Sequence, residues 1–179
     1  VSLGTSVFKN CPYLNKATLP SDMTVGPIGT FDGCKALAEI ELPEGITEIS
    51  QFAFYNCNAL AKIVSYPALR KIGSYAFSSC TSLTEISFPN TPEIGIFAFA
   101  SCSALKKADI TAAKSLSAYI FSGCIVLSDL SVSSNLESIG AYALYNCNEL
   151  ADFTIPATLT SIGNYAFANC DKFTTFTVT

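Results

Sequence analysis

The chain has 179 residues, of which half are hydrophobic and 13% are charged, with a formal net charge of -4 and no histidine. The acidic balance without a basic cluster argues against nucleic acid as a partner, because nucleic-acid binding depends on Lys and Arg neutralising phosphates. Lack of histidine removes Ser-His-Asp and Cys-His arrangements, so we predict no enzymatic activity, with a carboxylate pair as the one catalytic route left open. No apolar run reaches the roughly 18 residues of a membrane span, and no motif predicts a cofactor.

Eight cysteines mark an internal repeat. They follow one another every 22 or 23 residues, at Cys11, Cys34, Cys57, Cys80, Cys102, Cys124, Cys147 and Cys170. A unit of this length cannot bury its own apolar face, so several units must stack to form a continuous core. We therefore expect one elongated domain over residues 1–179, with a partial first repeat at 1–10, and we expect the chain to be a fragment of a longer protein.

Each unit contains one predicted strand and one predicted return segment. In the unit of Cys80, Ile86 and Phe88 alternate with a serine, which is the period of a strand, and the proline that follows ends the strand. Ahead of the cysteine, the apolar residues Ile72, Ala76 and Cys80 lie four positions apart. This spacing predicts a short helix or 3₁₀ turn in the return segment.

The run Leu37-x-x-Ile40-x-Leu42 is typical of the strand of a leucine-rich repeat. Parallel strands of consecutive units pair side by side, and their crossovers are right-handed in nearly all proteins. The predicted fold class is α/β: a right-handed leucine-rich-repeat solenoid with a parallel β-sheet on its concave face and short helical or 3₁₀ return segments. The first full unit is the weakest match, because Gly26 stands where other units carry isoleucine.

One family repeats these motifs in the same order. The run Leu159-x-x-Ile162-Gly163-x-x-Ala166-Phe167-x-x-Cys170-x-x-Phe173 resembles the repeat of the BspA-like leucine-rich-repeat family, also called the Treponema pallidum type. The family includes bacterial and protozoan surface proteins, some of which adhere to host matrix proteins or to other microbes. The resemblance implies an extracellular or cell-surface location and a protein partner, such as host extracellular matrix or another cell surface.

The cysteines allow three interpretations. Stacked units hold equivalent Cβ atoms at strand spacing, whereas a disulfide needs them at about 3.8 Å and converging. A column of buried, reduced thiols is therefore favoured over a disulfide framework. Zinc is the least favoured, because the spacing of the cysteines does not match a zinc site and histidine is missing.

Charged residues occupy the outward positions of the predicted strands. Five residues after successive cysteines, the charge alternates in sign from Lys16 to Lys107, which favours a ladder of salt bridges on the sheet. These positions and their neighbours are the candidate binding residues of the concave face: Glu39, Glu41, Lys62, Glu85, Lys107, Asp109, Asp129 and Asp152.

The alternation fails at Asp129 and Asp152. Two like charges on adjacent strands cost energy unless a cation or a ligand lies between them. With Asp109 close by, these acids could form a calcium site or a recognition patch, although three exposed acids are more often simply solvated. No other metal site is predicted.

Aromatic residues recur five positions before the cysteine, at Phe52, Tyr75, Phe97, Tyr119, Tyr142 and Tyr165. Such a stripe can be a platform for sugars, but its strict period favours packing in the core or on the outer wall. Three tyrosines break the repeat and are expected to face solvent, where they could contact a partner: Tyr55, Tyr66 and Tyr145.

The sequence thus predicts non-enzymatic recognition of a macromolecule by the concave face, with adhesion to host matrix proteins or other cells as the function implied by the resemblance. A structural spacer that holds another domain away from the surface is the first alternative. A glycan-binding module attached to another domain is the second.

Overall fold

The computed structural model describes residues 3–64 and 67–178, and this part of the chain forms a solenoid of short parallel strands without a helix. The strands are β1 (Lys16–Thr18), β2 (Val25–Gly26), β3 (Glu39–Glu41), β4 (Glu48–Ile49), β5 (Lys71–Ile72), β6 (Glu85–Ser87), β7 (Glu93–Ile94), β8 (Lys107–Ile110), β9 (Ser115–Leu116), β10 (Asp129–Val132), β11 (Ser138–Ile139), β12 (Asp152–Ile155), β13 (Ser161–Ile162) and β14 (Thr175–Val178). Most turns of the solenoid therefore contribute one longer and one shorter strand, whereas the turn after Cys57 contributes only β5.

The longer strands form the concave face: β1, β3, β6, β8, β10, β12 and β14. Every pair within it is parallel and in register with the repeat, so that Ala108 of β8 lies between Ile86 and Leu130 of its neighbours. Side chains alternate along a strand, with Ile86 buried and its flanking residues exposed in β6. The parallel strands confirm the solenoid prediction. The first residue of each strand, such as Glu39 in β3 or Glu85 in β6, is exposed, so these residues form a charged row across the sheet.

The shorter strands form two further parallel sheets, β2–β4–β5–β7 and β9–β11–β13. Ile72 in β5 pairs with Ile49 on one side and with Ile94 on the other, and all three side chains are buried. The glycine after the isoleucine is required by packing. A Cβ atom on Gly73 would lie 2.4 Å from the backbone nitrogen of Gln51 in the preceding turn, closer than real Cβ atoms come to backbone.

The return segments are chains of tight turns, so the prediction of helical or 3₁₀ returns is wrong for the described residues. The amide of Phe77 donates to the carbonyl of Ala98 in the next turn (2.8 Å), and the amide of Cys80 donates back to Phe77 (3.1 Å). Tyr75 and Ser79 have positive φ angles of 59° and 64°. Left-handed residues at such short intervals interrupt a helix, while the four-residue apolar spacing remains compatible with turns.

Two columns of side chains run through the core. Phe77 stacks between Phe54 and Phe99, with ring centroids 5.3 and 5.4 Å apart. Beside this column, each buried thiol donates to a carbonyl of the preceding turn, as Cys80 Sγ does to Phe54 O at 3.2 Å. All eight cysteines are free, which confirms the prediction of reduced thiols. The columns explain why phenylalanine and cysteine recur at fixed positions.

Two glycine substitutions test the close approach of neighbouring turns. We expect Gly73→Ala to destabilise the fold by about 3 kcal/mol, because the new methyl group overlaps backbone that cannot move without opening the sheet. Gly26→Ala is the matched control, since its Cβ would meet nothing nearer than Glu48 O at 3.7 Å. The control should leave stability unchanged or raise it by up to about 1 kcal/mol. Thermal unfolding followed by calorimetry measures both, and equal melting temperatures would contradict the packing argument.

Candidate functional site

The concave sheet is interrupted at two places, although the repeat predicts one continuous sheet. Its described pieces are β1–β3, β6–β8–β10 and β12–β14. Residues 62–64 occupy the strand position of the third unit but form no strand, and β10 does not pair with β12. The third unit carries Ser65 where its neighbours carry the buried Leu42 and Phe88, so its strand lacks the second apolar anchor. Ser65 itself lies outside the described residues.

A cavity of about 460 Å³ opens on the concave face at the first interruption. Four charged side chains that the sequence singled out line it: Lys62, Glu85, Lys107 and Asp109. Apolar groups complete the lining, among them Val64, Pro67 and Pro89, and the side chain of Val64 is 49% exposed. We call this feature the concave cavity. It combines both signs of charge with apolar surface.

Two of the four charges are engaged with neighbouring side chains. Lys107 Nζ lies 3.1 Å from Asp129 Oδ2, and this hydrogen bond together with the attraction of the carboxylate raises the pKa of Lys107. Asp109 accepts hydrogen bonds from Ser87 Oγ (3.3 Å) and Thr111 Oγ1 (3.0 Å). Both groups are therefore held in place on β8.

The other two charges have no such partner. Within the described residues, neither Lys62 nor Glu85 forms an ion pair or a side-chain hydrogen bond, although they occupy equivalent positions of adjacent units. The predicted salt-bridge ladder is therefore incomplete: Lys16 pairs with Glu39 at 3.9 Å, but the alternation is not continued through the cavity. Both side chains are exposed, and Glu85 lies opposite Lys107 in the parallel register without forming an ion pair with it.

The remaining candidate residues lie outside the concave cavity. Glu39 and Glu41 are exposed on β3, and only the first has an ion-pair partner among the described residues. Asp129 on β10 faces Lys107 on β8. Asp152 lines a second opening of about 430 Å³ at the other sheet interruption, together with Thr154. The structure thus brings together half of the predicted site.

The three acids proposed for calcium do not form a coordination cluster. Asp152 pairs in register with Thr175, whereas Asp129 pairs with Lys107, because β10 and β12 are not bonded to each other. Among residues 3–64 and 67–178, no group of three or more His, Cys, Asp or Glu side chains is placed to hold a metal ion. The calcium hypothesis gains no support from this geometry.

The periodic aromatic residues form a ladder of rings on the outer wall. Successive centroids are 4.3 to 5.0 Å apart, and the planes of successive rings lie within 20° of each other. We call Phe52, Tyr75, Phe97, Tyr119, Tyr142 and Tyr165 the ring ladder. Because each inner ring is covered on both faces by its neighbours, the ladder does not offer the open ring faces on which a sugar stacks.

Two of the three tyrosines expected to face solvent are instead half-buried against this ladder. Tyr55 meets Phe52 edge-on at 5.7 Å, and Tyr145 meets Tyr142 edge-on at 5.5 Å. Tyr66 lies outside the described residues. The edge-on contacts position the two phenol rings beside the ladder, where they extend its surface.

Stacked units in register, a parallel concave sheet and turn-based returns define a leucine-rich-repeat solenoid. The chain belongs to the family described as the BspA type leucine rich repeat region, which matches residues 1–124 and 93–179 in six copies. This match confirms the family suggested by the Ile-Gly and Ala-Phe-x-x-Cys motifs.

Solved structures show the same fold. The leucine-rich-repeat protein of Treponema pallidum is 32% identical, with a TM-score of 0.75, and the match covers 96% of this chain and 71% of that one. A leucine-rich cell-surface protein of Faecalibacterium prausnitzii is 29% identical, with a TM-score of 0.81 over 92% of this chain and 47% of that one. The pneumococcal vaccine antigen PcpA, at 17% identity and a TM-score of 0.59, shares the fold.

A search among curated proteins finds no match. In the described part of the chain, no helix is long and apolar enough to cross a membrane.

Proposed function

We propose that the chain is a recognition module that binds a segment of another protein on its concave face. The observation that carries this proposal is the concave cavity, where the unpaired Lys62 and Glu85 lie beside exposed apolar surface. Unpaired charges of opposite sign can each take a complementary group from a partner without first breaking an internal ion pair. The fold supports the proposal, since leucine-rich repeats present an extended concave surface to their partners.

The lining of the concave cavity favours a polypeptide over a small apolar ligand. An apolar side chain of the partner can pack on Val64 and Pro67, while an acidic and a basic side chain reach Lys62 and Glu85. Asp109 and Lys107, already held by neighbours, add fixed charge at the far side. The preferred segment therefore carries both signs of charge next to an apolar residue.

The location we propose is the cell surface or the extracellular space. The support is that a structural relative from Faecalibacterium prausnitzii is a leucine-rich cell-surface protein. Adhesion to host extracellular matrix or to another cell is the corresponding role, with the concave cavity as the contact.

Matched glutamine variants test the site. Peptides are first selected from a displayed library on the wild-type chain, and their dissociation constants are then measured by calorimetry. We expect Lys62→Gln and Glu85→Gln each to weaken binding about tenfold, because each leaves one charge of the bound segment without its partner. Glu41→Gln is the control, since Glu41 is equally an exposed glutamate of the concave face without an ion pair but lies outside the cavity.

The outcomes distinguish recognition from a spacer role. Binding that is lost in the cavity variants and kept in Glu41→Gln supports the proposal. Peptides that bind all variants equally, or a library that gives no binder, would contradict it. The second result would favour a spacer, a role supported by ion pairs that join equivalent positions of adjacent turns and brace the solenoid: Lys9–Asp32, Lys16–Glu39, Lys71–Glu48, Lys107–Asp129, Lys114–Glu137 and Lys172–Glu149.

A further inference from the structure

Four tyrosines meet at one place on the outer wall. Tyr119, Tyr142 and Tyr165 are consecutive members of the ring ladder, with centroids 4.8 and 5.0 Å apart. Tyr145 meets Tyr142 edge-on at 5.5 Å, with the ring planes at 73°. Tyr142 therefore contacts three other phenol rings, from its own turn and from both neighbouring turns.

The rest of the ladder does not repeat this arrangement. Tyr75 stacks between Phe52 and Phe97, so its direct ladder neighbours carry no hydroxyl group. Among the described residues, its one contact with another tyrosine is the edge of Tyr55 at 6.3 Å. Tyr13, the most exposed tyrosine at 92%, makes no ring contact within the described residues. These tyrosines serve as internal references for the cluster around Tyr142.

The phenol groups of the cluster are not used by the fold. Within the described residues, Tyr119, Tyr142, Tyr145 and Tyr165 make no side-chain hydrogen bond, although their rings are in contact. Burial raises the pKa of Tyr142, and repulsion from the neighbouring phenolates adds to the rise. The phenol of Tyr142 is consequently protonated at neutral pH. The three ladder rings are fixed by backbone with φ angles of 57° to 59°, a conformation that costs energy for a bulky residue and recurs in every turn of the ladder.

We propose that Tyr142 is the centre of an oxidative cross-linking site, which a haem peroxidase with hydrogen peroxide couples to Tyr119, Tyr145 or Tyr165. The peroxidase removes one hydrogen atom from each of two phenols, and the two phenoxyl radicals form a carbon–carbon bond between the positions ortho to oxygen. Each of these carbons releases its proton, which returns to the phenol oxygen. One bond forms between the rings, two ring C–H bonds break, and the peroxide takes up the two hydrogen atoms to give two molecules of water.

Geometry favours coupling inside the cluster. The stacked pairs hold the ring of Tyr142 face to face with Tyr119 and Tyr165 at centroid distances of 4.8 and 5.0 Å, so the π orbitals that form the new carbon–carbon bond already oppose each other. The linked rings then rotate into the biaryl geometry. Tyr165 is 63% exposed and gives the oxidant access, and a radical formed there can be passed to the ring stacked on it.

A link from Tyr142 to Tyr119 or Tyr165 would join adjacent turns covalently. Cross-links stabilise a fold by restricting its unfolded chain, and the free thiols of this protein provide none. The cross-link would therefore stabilise the packing of adjacent turns on the outer wall. This stabilisation does not depend on the concave cavity or on what binds there.

Peroxidase treatment of the full chain tests the proposal. Dilute protein is oxidised with a haem peroxidase and hydrogen peroxide, and the blue fluorescence of dityrosine is followed. Protease digestion and mass spectrometry then identify linked peptides, which weigh two hydrogen atoms less than their sum. We expect an intramolecular link that contains Tyr142, loss of this link in Tyr142→Phe, and unchanged yield in Tyr75→Phe. Phenylalanine preserves the stack, as Phe97 shows within the native ladder.

Three results would overturn the inference. The first is dityrosine formation in Tyr142→Phe at the wild-type yield. The second is a product that consists of dimers linked through Tyr13, which is what unguided oxidation of the most exposed tyrosine gives. The third is the absence of any link under conditions that couple free tyrosine.

Discussion

Raising the pH from 8 to 10 is expected to unfold the protein, because its buried thiols resist ionisation in the folded state. Burial raises the pKa of Cys102 from 9.0 to about 12, and it also raises the pKa of Cys57, Cys80, Cys124 and Cys147 well above 9.0. In the unfolded chain the same thiols ionise with their ordinary pKa. Unfolding then releases protons, so stability is fully present below pH 9 and is lost as the pH rises above it.

The size of this effect follows from the number of thiols. At one pH unit above its unfolded pKa, each of the five favours the unfolded state by about 1.4 kcal/mol, and together they do so by about 7 kcal/mol. This matches the whole stability of many domains, which is about 5–15 kcal/mol. Denaturant-induced unfolding at pH 7, 8, 9 and 10 measures the loss of unfolding free energy.

A cysteine variant provides the control for the loss of stability at alkaline pH. Cys80→Ala removes one of the five thiols and should reduce the dependence above pH 9 by about 1.4 kcal/mol per pH unit. Stability that stays level between pH 8 and pH 10 would show that the thiols are not buried as the column requires.

Phe77→Ala is expected to cost about 3–5 kcal/mol, because it leaves a hole in the middle of the phenylalanine column. The ring of Phe77 is completely buried and is stacked on Phe54 and Phe99. Neighbouring turns are fixed by their own hydrogen bonds and cannot close the gap. Thermal unfolding should show a drop of roughly 10 °C or more.

A leucine at the same position is the matched comparison. The column already contains Leu144, which is fully buried at the position equivalent to Phe77. Phe77→Leu should therefore cost only about 1 kcal/mol. If the alanine and leucine variants have the same melting temperature, the column does not have the packing described.

The solenoid itself was predictable, because every turn repeats the same distances. The strand with Ile86 buried between exposed residues, and the free cysteines, follow from alternation and from the translation of equivalent side chains. The return segments were not predictable in the same way. Apolar residues four positions apart fit a helix and a chain of turns equally well. An aromatic residue such as Tyr75 rarely adopts a positive φ, so the sequence does not predict one there.

The candidate site was predictable in part. Lys62 and Glu85 are predictable because outward strand positions can be counted from the cysteine. Val64 and Pro67 are not, because apolar residues in a repeat are expected in the core and not in the lining of a surface site. The irregular third unit, with Ser65 at an apolar position, was the signal available in the sequence. Whether such a departure interrupts a sheet depends on hydrogen bonding between turns, which the repeat pattern does not contain.

The reactivity of the thiols tests most directly whether equivalent side chains stack turn upon turn. In the folded chain at pH 8, we expect a thiol reagent to modify the partly exposed Cys11 and Cys170 and to leave Cys57, Cys80 and Cys124 untouched. After denaturation without reductant, all eight thiols should react. Rapid modification of the core cysteines in the folded chain, or fewer than eight reactive thiols in the denatured one, would contradict the stacked solenoid.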